Sequence, residues 1–196
     1  MNVETLPSYQ EVIRILEALD ANAPVLVCID GRCGSGKTTI ATMLQQRFNC
    51  NVIHTDDFYL PMEAREACWM DIPGGNMDFT RLREEILTPL SCGQSYLYRA
   101  YRCRSGAYEE PVRQNSDGIT ILEGSYSLHP ALQIESAVRI FVTCSQETRY
   151  QRLREREQNR FENFLKYWIP LEEKYFAAYG IPDQNTLIIC TDEFHS

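Results

Sequence analysis

Eight consecutive residues, 31–38, restrict the fold of this sequence more than any other segment. They read GRCGSGKT and match the phosphate-binding pattern G-x-x-x-x-G-K-[ST] at every fixed position. The apolar run at residues 25–29 predicts a buried strand before the loop, and Ile40, Leu44 and Phe48 predict a helix after it. Because the pattern binds phosphate between a strand and a helix, we predict a nucleotide-binding site here.

The predicted loop supplies both the cradle and the positive charge that a nucleoside triphosphate needs. Its glycines allow tight turns that point backbone N–H groups at one anion, and the N-terminus of the following helix adds its dipole. Lys37 is predicted to reach the β- and γ-phosphates, and the Thr38 hydroxyl to bind Mg²⁺. The predicted nucleotide-binding residues are Gly31, Arg32, Cys33, Gly34, Ser35, Gly36, Lys37, Thr38 and Thr39.

Composition limits the partners that we expect. The chain of 196 residues suits one domain, 1–196, and its net charge of −8 argues against a nucleic-acid partner. It shows no signal segment and no apolar run of about 20 residues, so we predict no membrane partner. The eight cysteines are scattered and never spaced as C-x-x-C, which indicates free thiols in a reducing, cytoplasmic setting. A homo-oligomer is left open.

Short apolar runs alternate with amphipathic helices along the chain. The predicted strands are residues 25–29, 51–54, 119–122, 138–142 and 186–190. This alternation predicts an α/β fold of three layers, in which helices cover both faces of a five-stranded parallel sheet. Residues 95–113 alternate on either side of Ser105-Gly106, which predicts a small β-hairpin insertion.

Capping residues and prolines set the expected helix ends. Ser8 and Glu11 predict a capping box at the start of the first helix. Asp78 and Ser145 are predicted to cap two later helices. Pro170 is expected to interrupt the helical pattern that follows residue 161.

Acidic residues at the predicted strand ends favour a kinase over other phosphate-loop proteins. The sequence has no N-K-x-D guanine reader of a GTPase, and strand 119–122 ends in one acid, Glu123, where an ATPase motor usually has Asp-Glu. Glu123 is predicted to hold Mg²⁺ together with Thr38. Asp56 or Asp57, after the second strand, is the predicted base that takes the proton of an acceptor hydroxyl.

An arginine-rich segment at about residues 145–165 is predicted to form a lid. Arg152 and Arg156 share one helix face by their i, i+4 spacing, and we expect them to balance charge on the transferred phosphoryl group. The alternative is a solvated face neutralised by Glu155 and Glu157.

Together these segments resemble the uridine kinase-like family, which is related to phosphoribulokinase and bacterial pantothenate kinase. The matching stretches, in order, are the phosphate loop, DDFY at 56–59, DIP at 71–73, LEG at 122–124 and the arginine segment at 145–157. The resemblance implies an ATP- and Mg²⁺-dependent kinase with Asp56 as general base and with Thr38 and Glu123 around Mg²⁺. It also implies substrate contacts, for which the candidates are Asp57, Tyr59, Asp71 and Tyr98.

The hairpin departs from the family pattern. Uridine kinases typically have Tyr-Asp at its start and a histidine soon after, whereas here Arg99 follows Tyr98 and residues 95–113 contain no histidine. We therefore predict phosphoryl transfer to a hydroxyl of a small metabolite, with a nucleoside as the leading acceptor. The alternatives are an anionic sugar phosphate or organic acid, which Arg99, Arg102 and Arg104 would suit, and an ATP-binding regulatory module that is not a kinase.

Overall fold

Five parallel strands form the centre of the protein, whose computed structural model describes residue 4 and residues 6–20, 23–134 and 136–192. The strands in chain order are β1 (Val25–Gly31), β2 (Asn51–His54), β3 (Tyr96–Tyr98), β4 (Tyr101–Arg102), β5 (Ala107–Tyr108), β6 (Val112–Gln114), β7 (Ile119–Glu123), β8 (Val138–Thr143) and β9 (Leu187–Cys190). The central sheet has the order β2-β7-β1-β8-β9, and all of its paired strands are parallel. The predicted parallel sheet is confirmed.

The remaining strands build the predicted hairpin. β3 pairs with β6 and β4 pairs with β5, both antiparallel, so that Tyr98 lies opposite Val112 and Tyr101 opposite Tyr108. Because β3 and β4 are separated by only Arg99 and Ala100, the hairpin continues from one short ladder into the next.

Helices cover both faces of the central sheet. They are α1 (Pro7–Glu17), α2 (Lys37–Phe48), α3 (Phe79–Leu82), α4 (Thr88–Ser91), α5 (Gln146–Glu157), α6 (Phe161–Asn163) and α7 (Ile169–Tyr179). Alternation along β1 explains the two layers, since Val27 packs in the core beneath α1 and α2, whereas Cys28 packs on the other side with α3, α4 and α7. None of the described helices is both long and apolar enough to cross a membrane.

Two of the three predicted helix caps are present in the structure. Ser145 Oγ accepts from the Thr148 N–H at 3.3 Å, and Asp78 Oδ1 accepts from the Arg81 N–H at 3.0 Å. The predicted capping box at Ser8 is wrong, because α1 begins at Pro7 and its N-cap residue, Leu6, makes no side-chain cap. Proline suits the first turn of a helix, where its missing N–H has no partner to lose, and the helix therefore starts two residues earlier than predicted.

The expected interruption at Pro170 is also wrong. A π-helical turn, Phe164–Trp168, leads directly into α7, which carries Pro170 in its first turn. The same arrangement occurs at Pro89, where the π turn Arg83–Leu87 leads into α4. In both helices the proline stands just after the wider turn, at a position where its ring and missing N–H break no regular helical bond.

Candidate active site

A cleft of about 1410 Å³ opens where β1, β2 and β7 end. Ligands of parallel α/β sheets bind at these carboxyl ends. The predicted site residues that line the cleft are Cys33, Gly34, Gly36, Lys37, Thr38, Thr39, Asp56, Tyr59, Glu123, Arg152 and Arg156. Gly31, Arg32 and Ser35 complete the loop behind this lining. The structure thus brings together the predicted nucleotide, metal and catalytic residues from four segments of the chain.

The phosphate loop turns sharply from β1 into α2. Gly31 has a φ of +140°, and a Cβ there would lie 2.1 Å from the Val142 carbonyl oxygen, so only glycine fits. Lys37 Nζ donates to the carbonyl oxygens of Gly31 at 2.7 Å and Arg32 at 3.1 Å. These bonds hold the ammonium against the loop backbone.

A buried carboxylate, Asp30, anchors the start of the loop. It accepts hydrogen bonds from the Gly31 N–H at 2.7 Å, the Leu128 N–H at 2.9 Å and the Tyr175 hydroxyl at 2.7 Å. Burial raises its pKa to about 6, although the three hydrogen bonds act in the opposite direction. Asp30 therefore joins three segments at one point: the loop, the chain after β7, and α7.

A second carboxylate, Glu172, lies directly on the phosphate loop. The Cys33 N–H is 3.0 Å from both of its oxygens, and Ser125 Oγ donates to it at 2.5 Å. Glu172 is 4% exposed. The next residue, Glu173, forms an ion pair with Arg32 at 2.6 Å. The first turn of α7 thus holds the loop through one N–H bond and one ion pair.

The predicted metal residues are hydrogen-bonded to each other. Thr38 Oγ1 donates to Glu123 Oε1 at 3.1 Å, and the same carboxylate oxygen lies 2.5 Å from His54 Nδ1. A hydroxyl and a carboxylate are hard oxygen ligands that fit Mg²⁺, which takes its remaining ligands from phosphates and water. The described residues contain no group of three or more His, Cys, Asp or Glu side chains arranged to hold a metal. The arrangement fits a metal that is shared with a nucleotide.

His54, the last residue of β2, is only partly buried. Its side chain is 45% exposed and pairs with Glu123. The hydrogen bond to this carboxylate raises the pKa of His54, because it favours the protonated imidazole.

The two neighbouring aspartates face different partners. Asp56 opens into the cleft and accepts a hydrogen bond from the Tyr59 hydroxyl at 2.9 Å. The walls of the cleft partly desolvate its carboxylate, which raises its pKa against the opposing effect of the Tyr59 bond. Asp57 is 3% exposed and pairs with Arg102 of the hairpin at 2.5 Å. Of the two acids, only Asp56 lines the cleft.

Two arginines of α5 face the cleft, as their shared helix face suggested. Arg152 donates to Thr191 Oγ1 at 2.9 Å and to the Thr191 carbonyl at 2.8 Å, and Arg156 pairs with Glu157 at 2.8 Å. Arg149 of the same helix is buried and lies 3.5 Å from Glu173.

Two other predicted substrate residues lie outside the cleft lining. The Asp71 side chain is 84% exposed and pairs with Lys174 at 3.2 Å. Tyr98 is 7% exposed, and its ring stacks on Phe58 with the centroids 5.8 Å apart. The structure does not bring these residues together with Asp56.

The sequence analysis did not predict several residues that line the cleft: Arg65, Ser125, Tyr126, Trp168 and Glu172. Ser125 and Tyr126 directly follow the strand end at Glu123-Gly124, and that position alone could have identified them. Arg65 belongs to the long segment between β2 and α3, and Trp168 and Glu172 flank Pro170, where no local pattern indicates a site.

Comparison with known proteins gives one family and one fold. The profile of a family described as an AAA domain matches residues 27–164. A search of curated proteins finds no match. A possible uridine kinase from Bacillus stearothermophilus superposes with a TM-score of 0.70 at 15% identity, covering 93% of this chain and 97% of the other. D-glycerate 3-kinase from Cryptococcus neoformans superposes with a TM-score of 0.65 at 14% identity, covering 94% and 92%. The resemblance to a uridine kinase-like fold that the motifs indicated is confirmed.

Proposed function

The chain belongs to the AAA domain family, a family of phosphate-loop proteins. From that membership we propose that it transfers the γ-phosphoryl group of ATP to a hydroxyl of a small metabolite. The observation that carries this proposal is the cleft itself, in which Lys37, the Thr38–Glu123 pair and Asp56 line one space. The proposed nucleotide-binding residues are those of the loop and Thr39. A hydrolase needs only water beside the nucleotide, whereas this cleft has room for a second molecule.

Asp56 is the proposed general base. Its raised pKa brings it nearer to the pH at which a carboxylate accepts a proton effectively. As the acceptor oxygen bonds to the γ-phosphorus, its proton passes to Asp56, and the bond from that phosphorus to the β–γ bridging oxygen breaks to release ADP. Tyr59 orients the Asp56 carboxylate through its hydroxyl.

Charge on the transferred group is the second requirement. Lys37, Arg152 and Arg156 supply positive charge along the cleft, where developing charge on the phosphoryl oxygens needs it. Thr38 and Glu123 are the proposed ligands of Mg²⁺, which would offset the negative charge of the nucleotide phosphates. His54 orients Glu123 by its hydrogen bond.

A nucleoside is the first acceptor to test, since the family resemblance implies one. Asp57, Asp71 and Tyr98 remain proposed substrate contacts on that resemblance alone. The fold similarity to D-glycerate 3-kinase supports the inclusion of an organic acid in the same assay.

Release of ADP from ATP and Mg²⁺, measured against a panel of acceptors, tests the proposal. Asp56→Asn should lower kcat by about 100-fold or more while ATP binding changes less than about threefold, because a general base contributes that much to the rate. Asp57→Asn is the matched control, since it removes the adjacent carboxylate. It should keep most of kcat at saturating acceptor, and the loss of its proposed substrate contact should raise only the KM of the acceptor.

Two results would redirect the proposal. Loss of turnover in Asp57→Asn with normal turnover in Asp56→Asn would move the base to Asp57. Hydrolysis of ATP that no acceptor stimulates and that Asp56→Asn leaves unchanged would favour the rival function, an ATP-binding regulatory module that is not a kinase.

A further inference from the structure

Two of the three hairpin arginines that would suit an anionic acceptor are already bonded within the protein. Arg102 forms ion pairs with Asp57 at 2.5 Å and with Glu109 at 2.7 Å. Arg99 Nε donates to the Glu109 carbonyl at 3.1 Å. Arg104 is exposed in the hairpin turn. None of these three arginines lines the cleft. A charged acceptor would therefore need a different cation.

Arg65 is that cation. It lines the cleft from the segment between β2 and α3. Its Nε donates to the Leu60 carbonyl at 3.0 Å, and its guanidinium lies over the Trp69 ring at 4.7 Å from the centroid. No carboxylate of the described residues lies within ion-pair distance of it, so its charge has no anionic partner there. The backbone bond and the ring fix one edge of the guanidinium, and four N–H groups remain.

Arg65 and the proposed base, Asp56, line the same cleft. Cys103, Tyr101 and Met62 are further residues of this lining. Burial raises the pKa of Cys103, the positive charge of Arg65 lowers it, and the negative charge of Asp56 raises it. The charges of Arg65 and Asp56 therefore both act on the Cys103 thiol. The cations at the lid end differ, since Arg156 and Arg160 both pair with Glu157.

We propose that the acceptor carries an oxyanion, a carboxylate or a phosphate, which binds Arg65 and presents the acceptor hydroxyl to Asp56. The proposal rests on the kinase function proposed above and replaces its leading neutral acceptor with an anionic one. A guanidinium whose position is fixed by stacking and by one backbone bond loses little freedom when it binds a planar or tetrahedral oxyanion through two N–H groups.

Alkylation of Cys103 tests the anion site without any turnover. Iodoacetate and iodoacetamide react with the same thiolate but differ in charge, so the ratio of their rates reports the local potential and cancels changes in thiol pKa. Mass spectrometry of the Cys103 peptide measures each rate in the full chain. Arg65→Met should lower the iodoacetate-to-iodoacetamide ratio by roughly threefold or more, because one nearby cation is lost. Arg113→Met removes an exposed arginine of β6 that does not line the cleft, and it should leave the ratio unchanged.

Competing anions identify the group that is bound. Acetate and inorganic phosphate are added during labelling of the wild-type chain and of Arg65→Met. The anion that slows labelling only when Arg65 is present indicates a carboxylate or a phosphate acceptor. Protection by neither anion, or a rate ratio that is equal in wild type and Arg65→Met, overturns the proposal.

Paired acceptors connect the anion site to catalysis. Glycerol is compared with glycerate, and ribose with ribose 5-phosphate, by ADP release. The charged member of a pair should be preferred, and Arg65→Met should raise its KM by about tenfold or more while Arg113→Met does not. If the labelling ratio depends on Arg65 and no acceptor stimulates ADP release, the anion site stands and the kinase proposal fails. If neutral acceptors are phosphorylated and the labelling ratio is the same in wild type and Arg65→Met, the kinase proposal stands and the anion site is refuted.

Discussion

Replacing Tyr175 with phenylalanine removes one hydroxyl from the buried contact that joins α7 to the start of the phosphate loop. Tyr175 and Asp30 are both fully buried, and the hydroxyl donates to Asp30 Oδ2 at 2.7 Å. A hydrogen bond to an ionised group contributes about 1.5–3 kcal/mol, so the free energy of unfolding should fall by about 2 kcal/mol at pH 8. For a chain of this size that corresponds to a Tm lower by about 4–8 °C.

The loss should depend on pH in a defined direction. Burial raises the folded-state pKa of Asp30 from 3.8 to about 6, so the stability that its protonation contributes is full below about pH 3.8 and is lost as the pH rises through about 6. At pH 8 the native carboxylate is charged and depends on its donors, whereas at pH 5 it is neutral and the Tyr175 hydroxyl contributes less. The cost of Tyr175→Phe should therefore be about 1 kcal/mol smaller at pH 5 than at pH 8.

Urea unfolding at the two pH values, followed by tryptophan fluorescence, measures both quantities. Tyr179→Phe is the control, because it deletes the same group from a residue of the same helix that is 42% exposed. A cost for Tyr175→Phe no larger than that of the control would refute the role of this bond. If Tyr175→Phe lowers the free energy of unfolding equally at pH 5 and pH 8, the argument from Asp30 ionisation is refuted, although the stabilising role of the hydrogen bond is not.

Two further substitutions test the phosphate loop. Lys37→Ala should weaken ATP binding, measured by calorimetry, and lower kcat by about 100-fold or more, because it removes the loop cation that is proposed to reach the phosphates; normal kcat would contradict the assignment. Gly31→Ala should lower the free energy of unfolding by about 3 kcal/mol or more, since its Cβ would lie 2.1 Å from the Val142 carbonyl oxygen. The control, Gly106→Ala, places a Cβ with nothing within 4 Å and should cost about 1 kcal/mol. Equal costs of the two variants in urea unfolding would contradict the steric argument.

The fold was predictable because its signals are local. Each strand of the sheet is a short apolar run, and the phosphate-loop motif itself indicates that a strand precedes it and a helix follows it. The signals failed where a proline permitted two outcomes. The predicted cap at Ser8 would place Pro7 before the helix, and the predicted break would place Pro170 between two helices, yet both prolines occupy first turns. The outcome depends on the chain that precedes each proline.

The site residues near the phosphate loop were also predictable, because each lies at or shortly after the end of a strand that the sequence identifies. Lys37, Thr38, Asp56 and Glu123 all follow strands of one parallel sheet, so their meeting at one edge follows from topology. Glu172 was not predictable in this way. It reaches the Cys33 N–H from 139 positions further along the chain, and a helix that begins with Ile-Pro-Leu-Glu-Glu gives no local indication of which acid turns inward.

The acceptor side shows the limit of reasoning from residue types. In the sequence Arg99, Arg102 and Arg104 form the conspicuous basic cluster, and Arg65 is a single arginine among acids. Whether an arginine can bind a ligand depends on whether a carboxylate already neutralises it. The Asp57 and Glu109 carboxylates neutralise Arg102, and the same ion pair removes Asp57 from the cleft. The Arg102–Asp57 contact therefore separates residues that the sequence left equal, since it leaves Asp56 as the acid that faces the cleft. Arg65 lines that cleft with no carboxylate of the described residues within ion-pair distance.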